Sequence, residues 1–238
     1  SACPDDTTAA NGWNPTDIHI RIYSGKETFQ RSVAYRPTPD SEAKMTKQTG
    51  FHDKFAQHTR NFIEYNGYWL ANCFAETGPI EEYHACRHGA VVFDVSHLGT
   101  VRVTGPDAFE VLQRAFTNDL HRIAPGRAQY THLLDQDDAS VVDDIIIWWV
   151  DSETFDVMPN ASNTDRVTGA IEEIAQSMGG VSVEAGDVTS ERAILAVQGP
   201  EARTLLATID PVIASIARFD VRHLEWNGIG VIVAGTGY

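Results

Sequence analysis

The hydrophobic positions of this chain change rhythm at close intervals. From about Phe51 onward, apolar runs with a period of two alternate with stretches spaced by three and four, divided by Gly, Pro, Asn and Asp. Pro79-Ile80-Glu81-Glu82-Tyr83 predicts a helix that Thr77 can cap, with proline in the first turn, two acids at the positive end of the dipole and Gly89 as terminator. Val101 and Val103 alternate with Arg102 and Thr104 as a strand, and Pro106, Phe109, Leu112 and Phe116 open a helix. A meander follows over residues 128–134, 141–150 and 154–158, then a helix over 163–178 that closes at Gly179-Gly180. Residues 192–197 predict another strand and 200–209 a helix; runs 221–226 and 229–234 flank Asn227-Gly228, a strong hairpin signal. The expected class is α+β, with antiparallel sheets and flanking helices.

Residues 1–50 have a different texture, rich in Thr, Pro, Asp, Ser and Lys, with one alternating stretch, Ile18-His19-Ile20-Arg21-Ile22-Tyr23, suited to an edge strand. They are expected to form a poorly ordered N-terminal extension ahead of a folded domain over 51–238. Gly235-Thr236-Gly237-Tyr238 follows directly on a buried-looking strand, so that domain is expected to be truncated at its C-terminal end.

Charge narrows the partners. The 18 basic against 33 acidic residues leave a net charge of −15, with no basic cluster to track phosphates, so nucleic acid is not an expected partner. The longest apolar run, 141–150, contains two aspartates and is shorter than the roughly 20 residues a membrane helix needs. No membrane association is expected; the acidic start lacks secretory or transit features, and the expected location is cytoplasmic. Cys3, Cys73 and Cys86 show no C-x-x-C spacing and are expected to be reduced thiols.

The segment of greatest chemical interest is Val141-Val142-Asp143-Asp144-Ile145-Ile146-Ile147-Trp148-Trp149-Val150. Its continuous hydrophobicity predicts a strand covered on both faces, with Asp143 and Asp144 pointing to opposite sides and at least one of them in an apolar setting. A carboxylate so placed must be paired, hydrogen-bonded or protonated, and such groups concentrate at functional sites. Alternatively, both aspartates cap the turn after 135–140. That acidic turn lacks the glycine and distal glutamate of a calcium loop, and His84 and His88, four apart on one helical face, have no further metal ligands nearby. Hydrolase and nucleotide-binding signatures are missing.

In order, Glu82-Tyr83-His84-Ala85-Cys86-Arg87, Phe93-Asp94-Val95-Ser96-His97-Leu98-Gly99, Thr117-Asn118-Asp119-Leu120, Gly126-Arg127-Ala128-Gln129-Tyr130, Val141-Val142-Asp143-Asp144, Asn160-Ala161-Ser162-Asn163, Val197-Gln198-Gly199-Pro200 and Gly235-Thr236-Gly237-Tyr238 resemble the aminomethyltransferase family. The resemblance implies a folate-binding cloverleaf of three subdomains, the third lying beyond this chain. It also implies transfer of a one-carbon unit from the aminomethyl-lipoyl H-protein of the glycine cleavage system to tetrahydrofolate, with release of ammonia. By the same matching, Asp144 is the expected catalytic residue, Asp143 is structural, and Asn160, Leu98, Tyr130, Phe219 and Tyr238 are expected folate contacts. Two departures stand out: Ala139-Ser140 replaces the family's usual Gly-Gly, and Leu98 its usual Met. The resemblance leaves two other readings open, a folate-dependent demethylase of a small methylated compound and a folate-binding module without catalysis.

Overall fold

The computed structural model describes residues 46–74, 77–226, 228–236. The candidate strand 18–23 and Tyr238 lie outside these residues. The chain divides into two units, one running to Val95 and taking in Ala193–Ala202, the other comprising Ser96–Arg192 and the chain from Arg203 onward.

In the first unit, β1 (Lys47–Gln48) runs parallel to β3 (Tyr68–Ala71), which pairs antiparallel with β2 (Phe62–Tyr65). Asn66 and Gly67 both adopt positive φ (49° and 82°), the backbone a two-residue hairpin requires. A short helix, α1 (His52–Phe55), buries Phe55 against Ala71 and Phe74. The helix α2 (Pro79–His88) starts one residue later than a Thr77 cap implies. Gly78 is the N-cap, its N–H donates to Glu81, and the Thr77 hydroxyl donates to Glu82. Gly89 ends the helix, as the sequence predicts. Strand β4 (Val91–Asp94) pairs with β10 (Leu195–Gln198), three residues downstream of the predicted start at 192. Cys86 is a free thiol, but Cys73 is disulfide-bonded; this corrects the expectation of reduced thiols throughout.

The second unit is built on a five-stranded antiparallel sheet: β5 (Val101–Thr104), β6 (Arg127–Leu134), β7 (Val141–Asp151), β8 (Thr154–Met158) and β9 (Glu184–Asp187), in the order β6-β7-β8-β5-β9. Two helices, α3 (Ala108–Ala115) and α4 (Thr164–Met178), cover one face. Ala108, Val111 and Leu112 of α3 and Val167 and Ile171 of α4 fall on single helical stripes and pack with Val101, Val103, Ile145, Ile147, Phe155 and Val157 from alternate strand positions. Trp149 belongs to this core, stacked on Phe155 at 5.0 Å. The predicted helix at Pro106 begins at Ala108, since Gly105 turns through φ 123° immediately before it. Beyond α5 (Ala202–Ile209) and α6 (Pro211–Ala214), β11 (Val221–Trp226) and β12 (Ile229–Ala234) form the predicted hairpin.

The approach to β7 carries strain. Asp135 and Ser140 close the turn before it, the Asp135 N–H donating to the Ser140 carbonyl at 2.8 Å, and Ala139 takes the left-handed conformation at φ 59°. The Ala139-Ser140 departure therefore keeps a backbone that glycine would adopt freely, at a steric cost of about 1–2 kcal/mol to alanine. Ala139→Gly should raise the unfolding free energy by roughly 0.5–1 kcal/mol after glycine's extra unfolded-state entropy is subtracted, as read from the denaturant midpoint.

Candidate functional site

The face of the sheet opposite α3 and α4 carries the candidate chemistry. In an antiparallel ladder, directly opposed residues share a face, so the register places Tyr130, Ile146 and Met158 in one row and Ala128, Trp148, Asp156 and Arg102 in the next. His132 and Asp144 oppose each other one step further along. Between Leu133 and Leu134 the register shifts and β7 carries an extra residue, Val142. Such bulges re-aim side chains and often sit beside functional sites.

The two aspartates part as the pleat demands. Asp143 is only 4% exposed and turns to the core side. It accepts the Asn160 backbone N–H at 3.0 Å and the Asn160 side-chain amide at 2.7 Å. Asp144 is exposed on the other face and accepts a longer bond, 3.3 Å, from the same amide. The expectation of a strand covered on both faces is therefore corrected: Val142, Ile146 and Trp148 are half-buried, and the buried carboxylate is Asp143, not Asp144. The run reads as doubly covered because isoleucine and tryptophan occupy the open face too.

Asn160 is thus one anchor reaching both aspartates. It sits on the connection leaving β8, directly after buried Pro159, and the Gly99 N–H donates to the Pro159 carbonyl at 3.0 Å. A Cβ on Gly99 would lie 2.3 Å from Thr164 Oγ1 and 2.8 Å from Pro159 Cγ, so only glycine lets these segments meet. Leu98 precedes it, 9% exposed.

Tyr130 is 49% exposed, and its ring meets Phe219 edge-on at 5.9 Å. Phe219 adopts φ 62°, rare for a bulky residue, and is held there from both sides. Its N–H donates to the Gly235 carbonyl at 3.0 Å, and its own carbonyl accepts from Ala128 N–H at 2.8 Å. The Arg218 guanidinium lies 5.0 Å from the Phe219 ring centre, and Arg127 is paired with Asp220. Of the expected contacts, Tyr130 and Phe219 meet each other, and Asn160 meets Asp144.

Two features of this face, Asp156 and His132, carry no local sequence signal, and a third, Trp148, is one of two adjacent tryptophans, either of which the sequence allows as a wall for a flat ligand. Asp156 is fully buried, bound in two-pronged fashion by Arg102 at 2.9 and 3.0 Å and by Arg192 at 2.8 Å. Burial pushes its carboxyl above the ordinary carboxylate value, against the pull of Arg102. The indole N–H of Trp148 is buried and has no partner among the described residues. His132 is exposed opposite Asp144. The pairing register alone brings these groups together. Elsewhere, the aspartates of the 135–140 turn accept backbone N–H groups of that same turn, and no metal-holding group of side chains occurs among the described residues. No helix among them is long and apolar enough to cross a membrane.

The arrangement is an exposed carboxylate and amide beside paired aromatic rings on an antiparallel α+β scaffold. Residues 51–238 match the family described as the GCVT N-terminal domain. The chain is 46% identical to the trimethylamine-oxide aldolase of Ruegeria pomeroyi over 249 aligned positions, covering 100% of this chain and 31% of that protein. It is 36% identical to the aminomethyltransferase of Chlorobium limicola, covering 81% of this chain and 52% of the relative. The crystal structure of glycine cleavage system aminomethyltransferase T from Bartonella henselae superposes with a TM-score of 0.69 at 24% identity, over 81% of this chain and 51% of that one, and shares the fold. The chain belongs to the aminomethyltransferase family through its GCVT N-terminal domain. It spans about half the length of the aminomethyltransferases it matches, and less of the aldolase.

The two carboxylates differ in a way that stability measurements can read. Asp143→Asn, which weakens a buried charged acceptor of two N–H groups, should cost about 2 kcal/mol in denaturant unfolding. Asp144→Asn, at an exposed position, should stay within about 0.5 kcal/mol of wild type.

Proposed function

We propose that this chain is the one-carbon-accepting part of a tetrahydrofolate-dependent demethylase acting on a small N-methylated compound of the amine-oxide type. The observation that carries this reading is the reach of the resemblance. The aldolase match extends over 100% of the chain, whereas the Chlorobium aminomethyltransferase match covers 81%. Cleavage of an N-methyl amine oxide at the aldehyde level releases formaldehyde and a secondary amine with no external oxidant. Tetrahydrofolate, when bound, supplies nucleophilic nitrogens that take up a carbon at that level.

The residues present suit such a ligand. Tyr130 and Phe219 offer aromatic surface for a flat ring, and Asn160 and Asp144 offer hydrogen-bonding groups at its edge. Leu98 and Tyr238 are proposed as further contacts. Asp144 is proposed as the catalytic carboxylate. Its exposed oxygens can take a proton from an attacking nitrogen, return one to a departing hydroxyl, and stabilise positive charge on the carbon between these events. Asn160 orients that carboxylate from the side of Asp143.

A second reading, the glycine cleavage reaction with aminomethyl-lipoyl H-protein as donor, is favoured by the 36% identity to an aminomethyltransferase. The two differ in donor and share the acceptor. The test uses the full-length protein, with tetrahydrofolate affinity measured by calorimetry and methylene-tetrahydrofolate formation followed with trimethylamine oxide or aminomethylated H-protein as donor. Turnover with the amine oxide, reduced roughly 10²-fold or more in Asp144→Asn, supports the proposal. Turnover with H-protein alone moves the assignment to glycine cleavage, and failure to bind tetrahydrofolate overturns both readings.

A further inference from the structure

Resting on the reading above of Asp144 as the catalytic carboxylate, we propose that His132 is its positioning and proton-relay partner, connecting the site to bulk water. In the β6/β7 ladder His132 is the residue directly opposite Asp144, which puts the two Cβ atoms roughly 4.5–5.5 Å apart on one face. An imidazole and a carboxylate at that separation reach hydrogen-bonding distance by rotamer choice alone.

The backbone of His132 is fixed. Its N–H donates to Thr117 Oγ1 at 3.2 Å and its carbonyl accepts the Thr117 N–H at 3.1 Å. Asn118 secures the strand two residues earlier, its side-chain amide donating to the Tyr130 carbonyl at 2.8 Å. Thus the Thr117-Asn118 segment holds β6 at the position that faces Asp144 and over the two residues before it. Among the described residues the ring is exposed and has no hydrogen-bond partner, and the Asp144 carboxylate is engaged there by Asn160 through one oxygen. Each side chain therefore has capacity for the other.

The other titratable groups on this face are Tyr130 on β6 and Asp156 on β8, the latter occupied by Arg102 on β5 and by Arg192. From β11, which packs against β7, come Arg222, which lies 3.6 Å from Asp220, and His223 and Glu225. His132 is the group in direct cross-strand register with Asp144.

The role is a balanced proton exchange. When Asp144 has taken a proton from an attacking nitrogen, the proton passes to one imidazole nitrogen of His132 while the other nitrogen releases one to water. When a hydroxyl departs from the one-carbon unit, the path runs in reverse and the oxygen leaves as water. No oxidant or reductant is needed.

Two measurements on the full-length protein test this. The first needs no folate: nitrogen NMR of the His132 ring in wild type and Asp144→Asn. A carboxylate partner fixes one imidazole tautomer, and its loss should redistribute the tautomers; identical tautomer populations in the two proteins overturn the proposal. The second compares wild type, His132→Gln and His132→Ala. We expect tetrahydrofolate affinity within about threefold of wild type, kcat down on the order of 10²-fold, loss of one limb of the pH–rate profile, and partial recovery of His132→Ala with added imidazole. Wild-type turnover that is sensitive to Asp144→Asn but unchanged in His132→Gln overturns the relay alone. Wild type without folate-dependent turnover overturns the reading of the site, and the relay with it.

Discussion

Two adjacent carboxylates on one strand cannot share an environment, and the candidate site rests on that constraint of the pleat. Asp143 is sent toward the helix-covered side, where it is tolerable because Asn160 gives it two N–H donors. The same amide reaches round to Asp144 on the open side, so one asparagine holds the buried charge and orients the exposed one. Losing Asn160 would therefore remove a structural and a site contact at once. The bulge at Val142 lies beside Asp143, at the entry to the aspartate pair.

The remaining site groups depend on backbone that is costly to form. Phe219 at φ 62° is tolerated because hydrogen bonds on both of its peptide groups pin the chain between β6 and the segment after β12. Gly99 solves the opposite problem, permitting an approach that any side chain would block. Local strain and close contact thus accumulate on the segments that carry Leu98, Asn160 and Phe219, while the opposite face of the sheet is an ordinary apolar core. This division is expected where a rigid scaffold presents chemistry on its connections.

Periodicity made most of the scaffold legible. Residues 154–158, 221–226 and 229–234 have the predicted boundaries because a turn signal brackets each run. Where such a signal is missing, tertiary pairing moves the edge: β10 starts at Leu195, where it meets Asp94 of β4, and not at Arg192, whose side chain is engaged with Asp156. The opposed directions of Asp143 and Asp144 were legible from alternation alone, but which of them is buried was not, because isoleucine and tryptophan occupy both faces of β7. His132 was illegible as a site-face residue for a related reason, while alternation put Trp148 and Trp149 on opposite faces without showing which of them lies on the site face. Their placement follows from strand register and from a bulge, both set by pairing partners distant in sequence.

The reach of the aldolase resemblance also bears on what an open site can accomplish. A carbon delivered on a protein-bound arm arrives already oriented and protected, whereas formaldehyde released from a small substrate diffuses away or reacts elsewhere unless an acceptor is near. The relative that matches the chain from end to end is much the longer of the two kinds, this chain amounting to 31% of it against 52% of the aminomethyltransferase. The exposed carboxylate of Asp144 lies on the open face of the sheet, where a small molecule reaches it without a protein-bound carrier.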